Sequence, residues 1–105
     1  MYKLVFFVPE AHLEQVKSAV FNAGAGRIGN YDRCCWQVLG TGQFQPLDGS
    51  HPYVGATFQL EHVSEYRVEM VCEDKSVNQV VSALRASHPY EEPAFDLWRL
   101  AELTP

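Results

Sequence analysis

The chain writes one unit twice. YKLVFFVPEAHLEQVKSAVFNAG (2–24) returns 64 positions later as YRVEMVCEDKSVNQVVSALRASH (66–88). Tyr2 falls on Tyr66, Gln15 on Gln79, Val16 on Val80, Ser18 on Ser82 and Ala19 on Ala83. Each copy opens with a strand-like run and passes into a helical pattern. Leu13, Val16, Val20 and Ala23 recur at helical spacing in the first copy, and Val77, Val80, Val81 and Leu84 in the second. Ser76 followed by Gln79 fits a capping box. A second strand follows each helix, CCWQVL (34–39) and AFDLWRL (94–100). Two such β-α-β units predict an α+β, ferredoxin-like plait: a four-stranded antiparallel sheet with both helices on one face.

At 105 residues the chain is one domain, with βαβ units at 1–39 and 65–105 and an insertion at 40–64. GQFQP and ATFQLEHV within the insertion are predicted as extra strands extending the sheet, around a Gly-, Pro- and Asp-rich loop. If Leu4, Phe6 and Val8 face the helices, then Lys3, Val5 and Phe7 face away. The same alternation turns Arg67, Glu69 and Val71 outward, with Cys35, Gln37 and Leu39 on the second strand. A face this apolar calls for a cover, and a second copy of the chain is the simplest one.

Composition narrows the function classes. A net charge of −5 with eight scattered basic residues leaves no patch to track a phosphate backbone, so nucleic acid is excluded. No apolar run approaches the roughly 18 residues of a membrane span. Three cysteines, two of them adjacent, fit a reduced, cytoplasmic setting.

GAGRIG (24–29) matches G-x-G-x-x-G, but a helix precedes it and a strand follows, the reverse of the dinucleotide fingerprint. A left-handed helix C-cap at Gly24 or Gly26 and a turn at Gly29 fit better. The conceivable metal ligands are His51, His62, His88, Cys34, Cys35, Cys72, Glu91 and Glu92, and no pair has strong zinc spacing. His51 and His88 are the weak candidates, since both stand in HPY (51–53 and 88–90). No serine or cysteine has the context of an activated nucleophile, so no catalytic residue and no cofactor are expected.

HPYEEP (88–93) reads first as an architectural turn. Pro89 ends the helix near Ser87, and Pro93 holds Glu92 extended into the last strand. Tyr90 then packs on the core or a neighbour. One of Glu91 and Glu92 faces solvent while the other meets an arginine or a backbone N–H. The loop GTGQFQPLDGSHPYVG (40–55) is expected at the surface near a subunit boundary, anchored by Phe44 or Tyr53. The ligand or interface candidates are therefore Gly42, Phe44, His51, Tyr53, His88, Tyr90, Glu91 and Glu92.

GAGRIGNYDRC, GTGQFQP, HPYVG, EYRVEMV and HPYEEPAFDL, in that order, resemble the insertion domain of the YqfO-type Nif-three-like proteins, the dinuclear-metal-centre hexameric family. That domain is similar in fold to the CutA and PII proteins, and HPYEEP looks like the segment before the last strand of CutA. The resemblance implies a free-standing accessory domain forming a homo-oligomer, with a trimer favoured. In the larger relatives the metals are held in flanking lobes that have no counterpart here, so that activity is not implied. The resulting expectation is a non-enzymatic module that binds a small molecule or a protein partner. The alternative is a CutA-like divalent-cation binder.

Overall fold

The computed structural model describes residues 1–102. In chain order the elements are β1 (Tyr2–Pro9), α1 (Leu13–Asn22), β2 (Trp36–Phe44), β3 (Glu61–Cys72), α2 (Val77–Ser87) and β4 (Phe95–Arg99). A 3₁₀ turn leads into each helix, Glu10–His12 and Asp74–Ser76. The repeat is therefore structural as well as sequential, with the turn and the helix start of the second copy 64 positions after the first. The strands form one antiparallel sheet in the order β2-β3-β1-β4, the ferredoxin-like arrangement.

Alternation along β1 sends Leu4, Phe6 and Val8 under the helices. There they pack with Val68 and Met70 of β3, Val16 and Val20 of α1, and Val80 and Leu84 of α2. The matched pairs Val16/Val80 and Val20/Leu84 thus sit in one core, all fully buried. Burying side chains of this size stabilises the fold by roughly 1.5–3 kcal/mol each.

The helix ends differ from one another. Past α1 the Ala25 N–H donates to the Val20 carbonyl (3.1 Å) and the Gly24 N–H to that of Phe21 (3.0 Å). That is a Schellman cap with Gly24 at φ +117°, so GAGRIG terminates a helix. The capping box expected at Ser76 does not form. Ser76 has helical backbone angles and makes no side-chain cap bond, because the preceding 3₁₀ turn already continues the chain into α2. Its side chain rests against Gly24 instead.

Two further expectations are corrected. The insertion holds no separate strands: β2 runs on through Gly40 to Phe44, and β3 begins at Glu61. Since β1 pairs with β3 only over 65–72, residues 41–44 and 61–64 form a two-stranded arm projecting beyond the sheet. The outward set on β2 is also shifted by one. Gln37 pairs with Val68 and Leu39 with Tyr66, so both lie on the helix side, where Gln37 accepts from Lys17 Nζ at 2.9 Å. Trp36 and Val38 face the other way, 62% and 43% exposed, and Trp98 of β4 joins them at 48%. A one-residue difference in phase exchanges the two faces of a strand, and only the pairing with β3 settles it.

Gly24→Ala should destabilise the protein by about 1–2 kcal/mol, since its backbone is left-handed. An added Cβ would also lie 2.8 Å from Ser76 Oγ. Phe6→Ala, a void in the core, should cost about 3–5 kcal/mol. Urea unfolding followed by circular dichroism measures both.

Candidate functional site

On the face that the helices leave open, a cavity of about 430 Å³ lies at the root of the β2–β3 arm. Its floor is Phe7, Phe44, Val63 and Glu65, which the strand registers place on that face. The loop from Gln45 to Val54 forms one wall and the turn from Tyr90 to Ala94 the other. The HPYEEP turn and the central loop, 40 residues apart in sequence, therefore build a single site.

The turn is fastened to β1 by His88. Strand β4 pairs with β1 only as far as Phe6, which leaves the Phe7 carbonyl without a strand partner on that side. His88 supplies one. Its Nε2 lies 2.7 Å from the Phe7 carbonyl oxygen, and the Tyr90 backbone N–H donates to its Nδ1 at 3.1 Å. A backbone N–H can only donate, so Nδ1 carries no proton and the proton sits on Nε2. The ring is buried, at 7% exposure. Burial pushes its pKa below the ordinary histidine value, the Phe7 bond works against that shift, and nearby His12 adds to it.

Aromatic rings line the cavity around Tyr90. Phe44 lies 6.3 Å and Tyr53 6.2 Å from it, centroid to centroid, and the His88 ring stands 4.9 Å behind it. The two HPY segments thus meet through their tyrosines and not through their histidines. His51 is exposed, and its backbone N–H donates to Glu91 Oε2 at 2.6 Å, so Glu91 is the glutamate that finds a backbone N–H. Glu92 lies at the exposed rim. Gly42 acts through what it lacks: a Cβ there would collide with the Glu65 carboxyl, which lies across it. His88 offers no free nitrogen to a metal. Among the described residues no three His, Cys, Asp or Glu side chains converge as a metal site.

Two contributors escaped the sequence reading. Glu65 is half-buried in the floor, and burial raises its pKa; it opens the second repeat unit, where alternation alone assigns it to the open face. Burial raises the Tyr90 pKa too, with the Glu65 charge and Tyr53 adding to the effect. His12 packs edge-on against Tyr53 at 5.5 Å, and its buried Nδ1 has no hydrogen-bond partner.

The fold is a CutA-like α+β one. CutA from Archaeoglobus fulgidus superposes with a TM-score of 0.69 at 13% identity, over 99% of this chain and 88% of that one. CutA from Xylella fastidiosa gives 0.70 at 17%, over 99% and 86%. In sequence the chain is related to one segment of NIF3-related proteins. A Bacillus cereus protein related to NIF3 matches with a TM-score of 0.83 and 40% identity, over 96% of this chain and 26% of that one. The Mycobacterium leprae protein named GTP cyclohydrolase 1 type 2 homolog is 52% identical over 98 residues, 93% of this chain and 26% of that protein. Its Bacillus subtilis namesake is 45% identical over 103 residues, 98% and 27%. The chain spans about a quarter of the length of these relatives. No protein-family model matches it.

His88→Ala should leave the Phe7 carbonyl and the Tyr90 N–H unpaired, at about 1–3 kcal/mol for each group. Because the folded pKa of His88 is depressed, the stability it contributes is present above about pH 6.5, the ordinary value. That stability is lost as the pH falls through the folded pKa. Glu65, with its raised pKa, acts in the opposite direction. The difference in unfolding free energy between wild type and His88→Gln, measured from pH 8 to pH 5, should therefore shrink toward acid. A constant difference would remove His88 from this role.

Proposed function

We propose that this chain is a non-enzymatic, homo-oligomeric CutA/PII-like module that binds a small ligand at the cavity between the central loop and the HPYEEP turn. A trimer in the cytoplasm is the favoured form. One observation carries the reading: the cavity opens onto the apolar sheet face. A second hollow on that face shares Phe7, Glu65 and Ala94 with the cavity. Copies packed on Trp36, Val38 and Trp98 would therefore bury an otherwise wetted apolar surface and close the mouth of the cavity in one step. Of the titratable side chains at the site, Glu91 is committed to a backbone N–H and His88 to two main-chain groups, which leaves Glu65 with no uncommitted imidazole of the turn to act with and, of its carboxylates, only exposed Glu92.

The alternative, a CutA-like divalent-cation binder, draws on the neighbours whose names include divalent cation tolerance. It would require His88 to give up both of its hydrogen bonds. Calorimetric titration of zinc and copper should show no tight site. Tight binding abolished by both His51→Ala and His88→Ala would favour the cation reading.

Light scattering should give a mass near three times the 11.9 kDa protomer. Val38→Glu should return it to the protomer mass, since burying an unpaired charge costs several kcal/mol. A dilute wild-type monomer would defeat the assembly. A thermal-shift screen of metabolites tests the pocket itself, because a ligand of the native state raises the melting temperature by mass action.

A further inference from the structure

The chemistry lining the cavity is one-sided. Its carboxylates are Glu65, Glu91 and Glu92, and no lysine, arginine or histidine side chain lines it. Among the described residues none of the three glutamates is in an ion pair. Arg67, which borders the adjoining hollow, is spent on Glu69 at 3.4 Å. Glu65 shares the floor with Phe7 and Phe44, its carboxyl lying across Gly42, and its charge has lost part of its water without gaining a counter-ion.

We propose that this cavity takes a small organic cation, a protonated amine carried on an aromatic or aliphatic body. The proposal rests on the binding reading above and names the chemistry of that ligand. Its ammonium group would meet the Glu65 carboxylate from the floor, as a charge-assisted hydrogen bond. The rings of Phe44, Tyr53 and Tyr90, spaced 6.2–6.3 Å around Tyr90, offer π-faces that attract a cation and exclude an anion. The body of the ligand would lie over Phe7, Leu47, Val54 and Val63. A cavity of about 430 Å³ suits a small molecule. A bare divalent ion is a poor fit: calcium and magnesium take six or more oxygen ligands, zinc takes four, and among the described residues no three His, Cys, Asp or Glu side chains converge.

Gly42 belongs to the same device. Because the Glu65 carboxyl lies where a Cβ of residue 42 would stand, any larger residue there displaces the charge from its seat.

Three probes of nearly equal shape decide the matter: 2-phenylethylammonium, 2-phenylethanol and 3-phenylpropionate, titrated into the full chain and followed by amide NMR shifts. The ammonium ion should move the signals of Phe7, Tyr53, Glu65 and Tyr90, with the alcohol and the carboxylate at least about tenfold weaker, the margin between a charged and a neutral hydrogen bond. Glu65→Gln should abolish the preference while leaving the oligomer mass unchanged and the melting temperature no lower, since it removes a desolvated charge. Should that variant fail to fold, the wild-type comparison of ammonium with alcohol stands without it. If the alcohol or the carboxylate binds at these residues as well as the amine, the cavity is a binding site and the cation assignment falls. If none of the three moves these signals, and a metabolite screen shifts no melting temperature, the binding reading falls with it.

Discussion

The hydrogen bond from His88 to the Phe7 carbonyl holds the site together. Strand β4 releases β1 one residue before Phe7, and without a substitute partner that carbonyl would be a buried acceptor with nothing to accept. The imidazole fills the gap, and its other nitrogen takes the Tyr90 N–H. One side chain therefore finishes the sheet edge and fixes the first residues of the turn. The Phe7 N–H, bonded to the Ala94 carbonyl at 3.2 Å, fastens the far end of the same turn. Tyr90 is thereby presented to the cavity from a rigid support, and the loop carrying Tyr53 closes against it. An account of HPYEEP as either turn or binding element is too narrow. The residue that makes the turn also places the ring that lines the pocket.

Much of the architecture was legible because the two copies of the unit agree. Val16 with Val80 and Val20 with Leu84 mark one helix face twice over, and the glycines after α1 sit where a cap requires them. What the sequence left ambiguous depended on phase or on distant partners. Nothing local fixes the phase of the strand after the first helix; only its register against β3 decides which face Gln37 and Leu39 share. The strands foreseen inside the insertion turned out to be the continuation of β2 and β3, since a polar, glycine-bearing stretch such as GTGQF reads as punctuation until its partner strand is known.

The candidate site was legible in the same uneven way. Phe44, Tyr53, Tyr90, Glu91 and Glu92 all line one cavity, and Gly42 and His88 shape it from behind. His51 lies outside it and contributes a backbone N–H alone. Glu65 and His12 were overlooked because neither stands beside another candidate ligand in sequence, although Glu65 opens EYRVEMV. A glutamate at the start of a strand looks like a solvated edge, and only the register of β3 against Gly40 and Pro9 sets it into the floor. Repetition of HPY suggested paired histidines, whereas folding paired the tyrosines and sent one histidine inward and the other to the surface.

The central claim concerns the state of one imidazole, and it can be read directly. A long-range proton–nitrogen NMR spectrum of the histidine rings, recorded on the intact protein at pH 7, reports the tautomer and the charge of each. The His88 ring should be neutral, protonated at Nε2 and bare at Nδ1. A charged His88 ring at that pH, or one protonated at Nδ1, would contradict the arrangement on which the turn, the cavity and its proposed ligand all depend.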